Sequence, residues 1–336
     1  MNCSLALCTF YIILTAAVFP QISWKFNAEA GYFKTSGEDL VFQDDLVTRL
    51  NGQLKFDFSN SPHEGSLLIN VHPEYLGTRN KSALLKINFN GNYYYYSENF
   101  NWGLNFSVIK NNYFGDLLNV KYDIFTFQPS LTTTILGRPL STIVGYTSQK
   151  IDYAGSITYD LIFSQSEYLL INSRYLASGI GVYAEKFIVE NEYDFYPFGN
   201  QKNEGWRVGP MVNIKYLKNF LLSSSYRVLL HSSDAVESPS YEHQVTFIAG
   251  KLFLEHYSVF ILADFYFRDF KLVTGKAGNE LIYSPVNQEN KYSFKFAYEL
   301  NKNTELFFRS GYSKENVDYI TSNIAGWSFT LGFELR

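Results

Sequence analysis

Residues 83–96 read ALLKINFNGNYYYY. Ala83, Leu85, Ile87, Phe89, Gly91 and Tyr93 stand at every second position, with Lys86, Asn88, Asn90 and Asn92 between them. Successive side chains of a β-strand point to opposite faces, so this stretch reads as one strand with an apolar and a polar face. The period recurs along the chain. Trp24, Phe26, Ala28, Ala30 and Tyr32 alternate with Lys25, Asn27, Glu29 and Gly31. Leu50, Gly52, Leu54, Phe56 and Phe58 alternate with Arg49, Asn51, Gln53, Lys55 and Asp57. Residues 153–163, 206–216, 292–300 and 327–335 repeat the pattern, and no segment beyond Trp24 holds a helical period.

These stretches run nine to thirteen residues, whereas strands of a soluble sandwich usually run about five or six. The length suits tilted strands that cross a bilayer, with apolar residues toward lipid and polar residues toward a lumen. Aromatics crowd the strand ends at Tyr93 to Tyr96, Trp102, Phe56, Phe58 and Trp206, as a bilayer-interface girdle requires. Composition agrees. The chain has 336 residues, 18% aromatic and only 18% charged, with a net charge of −4 and a mean hydropathy of −0.13. It is too apolar for disorder, lacks the runs of about 20 apolar residues that membrane helices need, and shows no basic footprint for nucleic acid.

Leu5 to Phe19 is one apolar run followed by small and polar residues. It reads as the core of a secretory signal peptide over residues 1–23, with cleavage between Ala17 and Trp24 and a barrel over 24–336. Both cysteines, Cys3 and Cys8, fall inside it, so the exported chain is expected to have no thiol, disulfide or cysteine metal site. Leu7 is bulky where a lipoprotein cleavage box wants a small residue, which argues against lipidation.

Spacers between strands alternate in length. Gln128-Pro129-Ser130, Ser148-Gln149-Lys150, Leu217-Lys218-Asn219 and Asn301-Lys302-Asn303 are short, while 34–45, 191–205, 231–241, 270–290 and 313–324 are long. Short turns on one side of a membrane and long loops on the other produce this alternation. With 131–147 read as a hairpin turning at Gly137-Arg138, parity gives an all-β, antiparallel up-and-down barrel of about eighteen strands, with sixteen as the alternative.

The chain closes on Trp327-Ser328-Phe329-Thr330-Leu331-Gly332-Phe333-Glu334-Leu335-Arg336. This resembles the terminal strand of bacterial outer-membrane β-barrel proteins, of the porin-like superfamily, although Arg336 stands where that strand ends in an aromatic. The resemblance implies an outer-membrane location, with outer-membrane lipid, lipopolysaccharide and, through Trp327–Arg336, the barrel-assembly machinery as partners. No plug, repeat domains or trailing soluble domain are expected, which sets the chain apart from TonB-dependent transporters, translocators and peptidoglycan-anchored barrels.

No histidine pair among His63, His72, His231, His243 and His256 has metal-ligand spacing on one strand face, so no metal or cofactor is expected. His231-Ser232-Ser233-Asp234 gathers a base, hydroxyls and a carboxylate, but catalytic triads converge from distant segments, and the motif reads as a solvated loop of a non-enzyme. Glu38-Asp39 and Asp44-Asp45 read as a charged loop, with carboxylates suited to divalent cations. Charges within strands are the informative set. A charge facing lipid at mid-membrane costs about 2–4 kcal/mol. Lys25, Glu29, Arg49, Lys55, Asp57, Lys86, Asp160, Arg207, Lys215, Lys295, Glu299 and Arg309 are therefore assigned to the lumen, with Asp123 beside them. The expected function is a porin-like channel for small hydrophilic solutes, the alternative a barrel whose loops bind a partner. Basic residues outnumber acidic ones in this set, which points to weak anion preference.

Overall fold

Alternation over long segments folds into sixteen strands, each hydrogen-bonded to its chain neighbours, and the last pairs with the first. The computed structural model describes residues 21–36, 44–77, 82–114, 119–152, 155–193, 201–234, 236–268, 290–317 and 322–336. The first strands are β1 (Gln21–Ser36), β2 (Asp45–Asn60), β3 (His63–Leu76), β4 (Ser82–Tyr96) and β5 (Phe100–Phe114). Then come β6 (Asn119–Ile135), β7 (Arg138–Asp152), β8 (Gly155–Asn172), β9 (Leu176–Tyr193) and β10 (Gln201–Leu217). The circuit continues with β11 (Leu221–Ser233), β12 (Ser240–Phe253) and β13 (Tyr257–Arg268). It ends with β14 (Asn290–Asn301), β15 (Thr304–Val317) and β16 (Ser322–Leu335). Closure runs from Phe26↔Leu335 to Ser36↔Ala325. An even strand number makes that last pairing antiparallel like the rest.

The short connections, 61–62, 97–99, 136–137, 173–175, 218–220, 254–256 and 302–303, all lie at the end that carries the termini. The turn expected at Gly137 is there. Leu136 and Gly137 have φ of 51° and 73°, the two positive values of a type I′ hairpin turn, which matches the twist of the flanking strands.

The count is sixteen, not eighteen, because two expected spacers are strand interior. Gln128-Pro129-Ser130 lies within β6, paired with Asn105, Leu104 and Gly103 of β5. Proline lacks the N–H that a ladder needs. The β6–β7 register accordingly passes from Phe127↔Tyr146 to Ser130↔Ile143 with no pairs between. Pro73 and Pro210 sit at equivalent gaps on β3 and β10. Ser148-Gln149-Lys150 likewise lies within β7, where its polar residues pair with Asp160, Tyr159 and Thr158. β1 begins at Gln21, three residues before the expected start of the barrel, and Ile22 pairs with Phe56.

Register partners share a face, and burial fixes which face is which. Ile22, Trp24, Leu50, Leu54, Leu331 and Phe333 are exposed, while Glu29, Val47 and Thr330 beside them are buried. The outside is thus the apolar face of β1, β2, β4 and β16, as expected. Aromatic clusters mark both edges of this belt. Tyr93–Trp102 (5.1 Å) and Tyr95–Trp102 (6.3 Å) stand at the short-turn end. Tyr292–Tyr312 (5.1 Å) and Tyr312–Trp327 (4.7 Å) stand toward the other.

On β8 the sense is reversed. Tyr159 and Leu161 are buried together with Phe187 and Val189 of β9 and Val236 from the β11–β12 connection, with Ile157 and Phe163 packed against them. The apolar face of β8 therefore points inward, and Asp160 points outward. Its carboxylate accepts a hydrogen bond from the exposed Tyr146 at 2.8 Å. Asp123 is also outside, 3.7 Å from Lys110. The assignment of Asp160 and Asp123 to the lumen is corrected: both sit near the loop ends of their strands, in a belt of outward ion pairs that includes Lys150–Asp152 and Lys186–Glu204. Charge is costly only at mid-membrane and costs little near the interface.

Facing is testable by stability. Leu54→Arg, Ile87→Arg and Phe296→Arg should each destabilise the barrel by about 2–4 kcal/mol in lipid. The same change at Gln53, Asn88 and Ser293, on the inner face of the same strands, should be tolerated. Denaturant titration of folded barrel in vesicles reads both; an equal response from the two sets would place the strands one residue out of register.

Candidate functional site

The inner wall divides into three sectors, each set by the residues that strand register brings side by side. The first spans β14 to β3 across the closure. Glu29 accepts hydrogen bonds from Arg309 at 3.0 Å and Thr330 at 2.8 Å, and Arg49 lies 3.7 Å from it. Arg49 continues to Glu74 at 3.0 Å. Nearer the short-turn end, Lys295 lies 2.6 Å from Glu305, Arg336 bonds Glu305 and Glu334 at 2.7 Å each, and Lys25 is 3.8 Å from Glu334. Positive and negative groups alternate around this arc.

The second sector, on β3 to β7, is mostly uncharged. Asn92 donates to Ser66 at 2.8 Å, Tyr94 to Asn105 at 3.1 Å and Tyr122 to Gln149 at 2.9 Å. A cavity of about 530 Å³ opens among Gln21, Lys55, Asp57, Ser66, Asn92 and Tyr94. A second of about 260 Å³ continues past Asn90, Asn105, Ser107, Thr126 and Gln128. Amides and hydroxyls here both donate and accept hydrogen bonds, which suits a polar solute without net charge.

The third sector, on β8 to β13, is packed. Arg207 binds Glu185, with Tyr159 at 3.3 Å and Glu242 at 3.1 Å. Its guanidinium lies 4.6 Å from the centre of the Phe187 ring. Tyr183 donates to Glu185 and Tyr266 to Glu242. Arg207, Glu185, His231 and Glu242 are all buried. A buried charge needs this many partners, since removing it from water costs several kcal/mol. β10 stands eight strands from β2 in both directions, so this cluster lies opposite the Arg49 arc.

Of the expected luminal charges, Lys25, Glu29, Arg49, Lys55, Asp57, Lys86, Arg207, Lys215, Lys295, Glu299 and Arg309 share the inner face, and Asp160 does not. Lys55 pairs with Asp57 at 2.8 Å. Lys86 and Lys215 form no ion pair among the described residues. Glu74, Glu185, Glu242, Glu305 and Glu334 also face inward, although the sequence reading passed over them. Their signal was in the register: Glu74 stands opposite Arg49 and Glu185 opposite Arg207. With them the apparent surplus of basic charge disappears. Glu38, Asp39 and the 269–289 connection lie outside the described residues, and those residues hold no group of acidic, histidine or cysteine side chains fit for a metal.

No protein-family model and no curated protein matches the sequence. Solved structures similar in course include the outer membrane protein OprD from Pseudomonas aeruginosa, 9% identical over 94% of each chain with a TM-score of 0.45. OccAB4 of Acinetobacter baumannii is 9% identical over 94% of this chain and 98% of that one, with a TM-score of 0.44. The siderophore receptor PiuA of the same species is 8% identical over 93% of this chain and 81% of that one, with a TM-score of 0.47. Such scores leave function to be argued from this chain's own wall. Closed pairing, an outer apolar belt with aromatic edges and a polar inner arc decide its place. The chain is a closed sixteen-strand β-barrel with an apolar outer belt.

Glu29 is the centre of the first sector. Its side chain is 1% exposed, against 35% for Arg309. Glu29→Ala should lower stability by about 2–3 kcal/mol, because a buried charge is lost and Arg309 and Thr330 lose their acceptor. Lys186→Ala, in an exposed outer pair, should change it by less than about 1 kcal/mol. Equal effects in a denaturant titration would mean that the inner arc is solvated like the outer belt.

Proposed function

We propose that the barrel is a porin-like channel for small hydrophilic solutes in the outer membrane. The observation that carries this is the pair of cavities lined mainly by polar residues along β1 to β6, inside a wall of sixteen strands. Barrels of about that size leave room for an aqueous path. The path runs beside amides and hydroxyls, with the ion-pair arc on one flank and the packed Arg207 cluster opposite. Because most inner charges are neutralised by partners within 4 Å, the wall discriminates solutes by size and hydrogen bonding more than by charge.

The remaining assignments belong to the same reading. Leu5 to Phe19 serves as the export signal, with cleavage before Gln21 so that β1 stays whole. The strand ending at Arg336 is the element that the barrel-assembly machinery engages, and the outer charged belt meets lipopolysaccharide. Residue Arg336 is tied to Glu305 and Glu334 in the folded barrel, which gives the polar terminus a structural role.

Purified protein in a planar bilayer tests the channel. Discrete conductance steps with a reversal potential near zero across a salt gradient are expected, and electrical silence would contradict the reading. Lys86→Glu should move the reversal potential toward cation preference, because Lys86 has no neutralising partner among the described residues. The effect should fade as the screening length falls below about 8 Å at higher salt. No shift in a conducting variant would remove Lys86 from the path.

A further inference from the structure

His231 and Ser233 are two residues apart on β11, so both project inward at the end of the barrel opposite the termini. His231 Nε2 lies 3.2 Å from Ser233 Oγ, and Nδ1 lies 2.6 Å from Glu242 Oε1 on β12. Two bare acceptors do not approach so closely, so with Glu242 ionised the proton sits on Nδ1 and Nε2 accepts from the Ser233 hydroxyl. Arg207 Nε is also 3.1 Å from Nδ1. It stands equally close to both Glu242 oxygens, at 3.1 and 3.2 Å, and the carboxylate is the stronger acceptor.

The motif at 231–234 was read as a loop whose carboxylate was Asp234. In the fold Asp234 instead accepts from the Glu204 backbone N–H at 3.3 Å, and the carboxylate that orients the histidine comes from the next strand. Arg207 and the Tyr266 hydroxyl fix Glu242 in turn, and the Phe187 ring packs on His231 at 5.6 Å. His231 and Glu242 are fully buried, while Ser233 is half-buried. A hydroxyl bonded to a base, with the base held by a third group, is the arrangement that activates a nucleophile.

We propose that Ser233, His231 and Glu242 form a nucleophile, general base and orienting carboxylate that hydrolyse a small carboxylic ester entering from the outer mouth. Ser233 Oγ bonds to the ester carbonyl carbon as its proton passes to His231 Nε2. The tetrahedral adduct expels the alcohol, which takes that proton from Nε2 and leaves an acylated serine. Water then attacks the acyl carbon, giving its proton to Nε2. Collapse releases the carboxylic acid and returns the proton to Ser233. Ester and water become acid and alcohol, with nothing oxidised or reduced.

A fluorophosphonate probe and p-nitrophenyl butyrate, applied to the folded full-length barrel, test this. Peptide mass spectrometry should find the probe on Ser233, and Ser233→Ala should abolish both labelling and ester hydrolysis. Glu242→Gln should slow labelling by about 100-fold while a wild-type circular dichroism spectrum shows the barrel intact; Asp234→Asn should leave the rate unchanged. Ser233→Ala removes only one half-buried hydroxyl, so it decides the question even if Glu242→Gln does not fold. A folded wild type that is not labelled at Ser233, hydrolysis that survives Ser233→Ala, or a folded Glu242→Gln labelled at the wild-type rate would each overturn the proposal. Conductance is measured separately, so failure here leaves the channel reading untouched.

Discussion

Lipid offers no hydrogen bonds, so every backbone N–H and C=O at bilayer depth must be satisfied within the chain. The pairing of β1 with β16 is the step that meets this constraint. Without it two strand edges would face hydrocarbon. Once closure is antiparallel throughout, the strand number is even, the termini meet at one end and the two faces of each strand see different surroundings. The prolines show how far the constraint bends. Pro73, Pro129 and Pro210 each coincide with a local gap in one ladder, while pairing resumes on both sides.

The lumen faces the converse problem. Charges buried against the inner wall need partners, and neighbouring strands supply them. Glu29, Arg49 and Glu74 come from three consecutive strands; Glu185, Arg207 and Glu242 come from β9, β10 and β12. These sets brace opposite sides of the wall, and the uncharged amide sector lies between them. The packed sector also holds apolar residues, with Val236 folded in from the β11–β12 connection to cover Tyr159 and Phe187. The inner face is therefore polar on one side and core-like on the other.

Much of this was legible in the sequence. The two-residue period of 83–93 identifies a strand and its faces, the spacers at 217–219 and 301–303 fall at turns, and so does the hairpin read at Gly137. Sixteen stood behind eighteen as the alternative because proline and short polar clusters look like breaks, although a long strand in a closed sheet carries both. β8 was turned inside out for a different reason. Alternation says which residues share a face, not which solvent that face meets, and Ile157, Tyr159 and Leu161 meet Phe187 and Val189 instead of lipid. The partners of the luminal cations were invisible until the register set Glu74 beside Arg49 and Glu185 beside Arg207. The carboxylate for His231 was likewise sought next door in sequence and found across the ladder.

The central claim is that adjacent residues of one strand see lipid and water alternately around a hydrated lumen. Cys3 and Cys8 are the only cysteines in the chain, so with both changed to serine a single introduced cysteine reports its own solvent. The decisive measurement is thiol labelling of Ile87→Cys and Asn88→Cys barrels in lipid vesicles, with a small charged reagent and with a lipid-soluble one. The account predicts that the charged reagent modifies Asn88→Cys and spares Ile87→Cys, and that the lipid-soluble reagent modifies Ile87→Cys. Equal modification of both positions by the charged reagent would contradict it.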